Sequence, residues 1–87
     1  MPTGPFTEKQ LIAMGELVIA ELFLAAQQFK VAGKFTSDKE REKTHLHLSL
    51  LSVINKAAGR NFVSELLTAV DKDGDGSFQN FRTAAGL

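Results

Sequence analysis

Eighty-seven residues, with ten Lys plus Arg balanced by ten Asp plus Glu, make one small domain whose zero net charge gives no electrostatic case for nucleic acid or an anionic membrane. The chain has no cysteine, which excludes disulfides, thiolate metal sites and thiol nucleophiles. A chain this short buries a modest share of its surface, and a metal or a partner subunit commonly adds to its stability.

The opening "MPTGPFTEKQ" lacks the basic-then-apolar layout of a signal peptide, which favours the cytoplasm or a signal already removed. Pro2, Gly4 and Pro5 predict an irregular lead-in over residues 1–6. Thr7 is placed to cap a first helix, with Gln10 at the capping-box position and Phe6 and Leu11 placed as a hydrophobic staple. The helix should begin near Glu8 and run to about Val31, where Gly33 supplies a stop. Glu16 and Glu21 interrupt its apolar run, so no stretch reaches the ~20 uncharged residues of a spanning segment. Leu11, Met14, Val18, Leu22, Ala25 and Phe29 share one face and read as its core side. Ile12, Ile19 and Phe23 read as a second stripe, roughly opposite. Leu17, Leu24 and Val31 border it. A helix apolar on most sides needs more cover than the rest of this chain offers. Ile12, Leu17, Ile19, Phe23 and Leu24 are therefore the candidate interface, for a protein partner or a second copy.

The connection "VAGKFTSDKEREK" ends in a second helix start. Ser37 caps it, Glu40 lies three residues on, and Asp38, Glu40 and Glu42 suit the positive end of the helix dipole. Its body, "THLHLSLLSVINKAA", at first alternates like a strand, but Leu46, Leu50, Val53 or Ile54, and Ala57 repeat at helical spacing, and the cap and the length decide for a helix. Gly59 ends it. His45 and His47 lie about 200° apart around a helix and cannot share one metal. His45 falls on a polar face with Arg41, Ser49, Ser52 and Lys56 and reads as solvated. His47 falls near Leu50, Leu51 and Ile54 and reads as a hydrogen-bonded core residue. Asn61 can cap a third helix with Phe62, Val63, Leu66, Leu67 and Val70 on its apolar side. After a Gly/Asp loop, "QNFRTAAGL" can form at most two turns.

The stretch "VDKDGDGSFQNFR", Val70 to Arg82, carries the chemistry. Calcium takes about 6–8 oxygens, which a twelve-residue loop supplies when carboxylates alternate along it, a glycine turns it at the middle and an acid closes it. Asp71, Asp73 and Asp75 occupy positions one, three and five. Gly76 sits at the turn, Ser77 at position seven and Gln79 at position nine. With "ELLTAV" entering and "DKDGDG" opening the loop, residues 60–87 resemble the EF-hand family over about twenty positions. The resemblance implies calcium held by Asp71, Asp73, Asp75, Ser77 and Gln79. At position twelve the sequence departs, with Arg82 in place of Glu. A shortened loop would put Asn80 there instead. Either alignment implies a weak site, with a dissociation constant on the order of 10⁻⁴–10⁻³ M. The competing reading is an Asp/Gly turn between helices, with Arg82 neutralising one of the three aspartates.

No G-x-S-x-G, G-x-G-x-x-G or phosphate loop occurs, so no enzyme is expected. The expectation is an all-α bundle of three main helices plus a short C-terminal one. Its function would be that of a calcium-binding or calcium-stabilised interaction domain, or of a metal-independent adaptor or inhibitor subunit that self-associates. Neither nucleic acid nor membrane is an expected partner.

Overall fold

The computed structural model describes residues 4–87, so the start of the expected lead-in, with Pro2, lies outside the described residues. Four helices follow one another: α1 (Glu8–Ala32), α2 (Asp38–Ala58), α3 (Phe62–Val70) and α4 (Ser77–Ala84). The caps are the ones the sequence announces. The Thr7 side chain accepts from the Gln10 N–H while the Gln10 side chain accepts from the Thr7 N–H. Ser37 and Asn61 accept from the N–H groups of Glu40 and Ser64. Gly33 and Gly59 end α1 and α2 in the left-handed conformation, which a residue without Cβ adopts at little cost.

α1 is the element against which α2, α3 and α4 all pack. Its buried residues are Leu11, Gly15, Val18, Leu22 and Ala26. A methyl group at Gly15 would overlap the ring of fully buried Phe62, so the missing side chain lets α3 lie close on α1. At the other end, Phe29, Phe35 and Phe81 form a triangle of rings with centroids 4.9, 5.7 and 5.7 Å apart. That triangle ties the end of α1, the following link and α4 together. By length and composition α1 would suffice to cross a bilayer, but here its buried face meets the other three helices.

On α2 the structure chooses between neighbouring apolar stripes. Thr44, Leu48, Leu51, Ile54 and Ala58 are buried, while Leu46, Leu50, Val53 and Ala57 face water. Two apolar stripes of equal helical spacing run along this helix, and tertiary packing selects between them. The orientation adopted turns His45 to the C-terminal turn, where its Nδ1–H donates to the Ala85 carbonyl at 2.8 Å. His45 is thus half-buried rather than solvated. His47 is not a core residue, and its Nδ1–H donates to the Lys43 carbonyl one turn back at 2.7 Å.

Candidate functional site

The Asp/Gly loop joins α3 to α4. Asp71 ends α3, and its carbonyl accepts from the Gly74 N–H at 2.9 Å. Gly74 and Gly76 take φ of 65° and 74°, the left-handed turns that glycine admits. α4 then starts at Ser77, two residues before the expected segment, so the ligand positions seven and nine lie inside a helix.

Two of the three aspartates explain that early start. One Asp71 carboxylate oxygen accepts from the Phe78 N–H at 2.8 Å. One Asp75 oxygen accepts from the Ser77 hydroxyl at 2.6 Å and the Ser77 N–H at 3.1 Å. The first N–H groups of a helix have no partner within it, and these carboxylates supply one to Ser77 and Phe78. The second Asp75 oxygen lies 3.4 Å from the Lys30 ammonium, which also donates to the Val70 carbonyl at 3.4 Å. The Ser77 hydroxyl and N–H, helped by Lys30, hold the Asp75 carboxyl down at about 2. Asp73 is exposed and has no hydrogen bond or ion pair among the described residues.

The remaining expected ligand, Gln79, is turned along α4. Gln79 donates from its amide to the Thr83 hydroxyl at 3.2 Å. The Arg82 guanidinium lies over the Phe78 ring, 5.9 Å from its centroid. The cation that meets an aspartate is therefore Lys30 and not Arg82. Among the described residues no three His, Asp or Glu side chains converge as metal ligands. The Gly76 carbonyl is engaged by the Asn80 N–H. As folded, two of the three aspartates are already engaged, Asp71 by the Phe78 N–H and Asp75 by Ser77 and Lys30.

The candidate interface divides. Ile12, Ile19 and Phe23 are half-buried and pack against the core. At about 100° per residue they lie beside the buried face of α1, not opposite it. Leu17 and Leu24, together with Val31, are 69, 60 and 91 % exposed. On α2, Leu46, Leu50 and Val53 form a second exposed stripe. Between the two helices runs a shallow groove whose walls include Glu21, Leu24 and Gln28 on one side and Lys43 and His47 on the other.

No protein-family model, curated protein or solved structure matches this chain.

Chemically, then, the loop acts as a staple. Its carboxylates fasten the first turn of α4, and the end of α1 is fastened to it through Lys30. The serine hydroxyls of α2 are turned inward along the helix, Ser49 donating to the His45 carbonyl at 2.9 Å and Ser52 to that of Leu48 at 3.3 Å. Sequence reasoning missed Lys30 because its partners lie 40 and more residues away. The Asp75–Ser77 turn was readable, since Asp two residues before an N–H donor is a common local pattern.

Proposed function

We propose that this chain is a non-enzymatic helical interaction module whose Asp/Gly loop is a metal-independent connection. The observation that carries the reading is the row Leu17, Leu24 and Val31, left in water on the side of α1 away from the core. Large apolar side chains repeated along one helix face mark a surface built to be covered. The loop supports the metal-independent form, because its aspartates already serve the N–H groups of α4 and the ammonium of Lys30.

A calcium-stabilised domain is the second reading. It rests on three aspartates spaced by single residues and turned by two left-handed glycines. Binding would first have to release Asp71 and Asp75 from their present hydrogen bonds. Thermal melting with and without calcium separates the two. A site with a dissociation constant of ~0.5 mM would add about 1.4 kcal/mol at ~5 mM calcium, or roughly 6–8 °C for a domain of this size. The module reading expects melting unchanged between calcium and chelator. A rise of that size, absent with magnesium and lost in Asp73→Ala, would establish the second reading.

A further inference from the structure

We infer that the exposed face of α1 pairs with the same face of a second copy, antiparallel, as a short two-stranded coiled coil. This rests on the module reading and names its partner. Along α1, Ala13, Leu17, Ala20, Leu24, Gln27 and Val31 recur at alternating intervals of four and three. This is the spacing of a coiled-coil seam, in which every such position meets the partner helix. Gln27 is the one polar member and is half-buried; the five apolar members are all exposed. The buried residues of α1 lie on another face, so the core of the domain does not account for this apolar repeat.

The order of large and small residues favours one direction. In a parallel pair, Leu17 would meet Leu17 and Ala20 would meet Ala20, giving crowded layers next to empty ones. In an antiparallel pair, Leu24 meets Ala20 of the second copy and Val31 meets Ala13. Four of the six layers then hold one large and one small side chain, and the alanines let the backbones approach closely. The other two layers set Leu17 against Gln27. There the glutamine methylenes can cover the leucine while the amide reaches water at the edge of the seam.

Flanking charges agree. Antiparallel pairing brings Glu16 of each copy, 3.9 Å from Arg60 in its own chain, to Lys30 of the other, 3.4 Å from its own Asp75; these are two attractive contacts shared with existing pairs, against one repulsive meeting of Glu21 with Glu21 of the second copy. Parallel pairing would set Glu16 against Glu21 twice. Zero net charge removes any general repulsion between copies. Six seam positions along one helix make a small face, at the lower edge of stable interfaces. That area, with a polar residue in the seam, points to a dimer that dissociates in the micromolar range rather than an obligate one.

Sedimentation from about 1 to about 300 µM, the span over which such a dimer dissociates, tests this in chelator. A monomer–dimer equilibrium is expected, weakened by roughly tenfold or more in Leu24→Lys, with helicity unchanged at low concentration. Gln27→Leu should tighten it, since the substitution makes the seam apolar throughout. The absence of native cysteine allows a test of direction. Oxidising a mixture of Ala13→Cys and Val31→Cys copies should give the mixed disulfide dimer, and neither variant alone should link. A monomer at every concentration overturns the inference, and so does a dimer that Leu24→Lys leaves intact. Self-linking of Ala13→Cys overturns the antiparallel arrangement. A monomer that floats with phosphatidylcholine vesicles, floating less in Leu24→Lys, assigns the face to lipid and also overturns it. Calcium-independent melting in any of these cases would leave the staple reading of the loop standing.

Discussion

Removing the three loop aspartates one at a time, in chelator, separates a staple from a cradle of unpartnered charges. The Asp71 carboxylate accepts from the half-buried Phe78 N–H at 2.8 Å, and Phe78 itself is among the largest fully buried side chains. Asp71→Ala leaves that N–H without its acceptor at the first turn of α4, a loss of roughly 1–2 kcal/mol. For a domain of 87 residues that lowers the melting temperature by about 5–10 °C. Asp73 has no partner among the described residues, so Asp73→Ala should stay within ~0.5 kcal/mol of the parent, under about 4 °C. Removing one carboxylate from a cluster of unpartnered like charges would instead relieve repulsion and raise stability at every position. Calorimetry or circular-dichroism melting in EDTA reads the order directly. Equal effects of Asp71→Ala and Asp73→Ala, or stabilisation by both, would refute the assignment.

Asp75 gives the pH dependence. Its carboxyl is held down at about 2, mainly by the Ser77 hydroxyl and N–H, against an ordinary value near 3.9. A depressed carboxyl contributes stability that is present above pH ~4 and lost as the pH falls towards 2. The difference in melting temperature between parent and Asp75→Ala should therefore shrink across that window, and a constant difference would contradict it. Gly15→Ala tests the close approach of α1 and α3. The methyl group gains up to about 1 kcal/mol in helix propensity but collides with buried Phe62 at a cost of roughly 1–3 kcal/mol. Net destabilisation is expected in denaturant titration, relieved when Phe62→Leu is added; a gain in stability would show that the ring yields freely. Phe81→Ala empties the aromatic triangle and should cost roughly 3–5 kcal/mol, comparable with the whole stability of a marginal small domain, read as loss of helical signal on mild heating.

Much of the backbone was legible because its signals are local. Thr7 with Gln10, Ser37 with Glu40, and Asn61 with Ser64 each act within one turn, and Gly33 and Gly59 stop helices where only glycine sits easily. Side-chain placement was less legible where two answers shared one spacing. Leu46, Leu50 and Val53 and the buried Leu48, Leu51 and Ile54 have the same helical period. Only contact with α1 and the C-terminal turn decides between them. The loop reads two ways. Its oxygen pattern is that of a cation cradle, but aspartate and serine also cap helices, and the start of α4 at Ser77 depends on which task they perform. Lys30 was beyond reach because nothing near it in the chain announces Val70 or Asp75.

Lys30 lies at the flank of the exposed α1 face and also at the mouth of the loop. If copies pair as inferred, its one positive charge would be shared between Asp75 of its own chain and Glu16 of a neighbour. Assembly and loop order would then be coupled, and by reciprocity each would change the other by the same free energy. A charge placed at the end of a long helix would in that case make a distant turn sensitive to whether the molecule is alone.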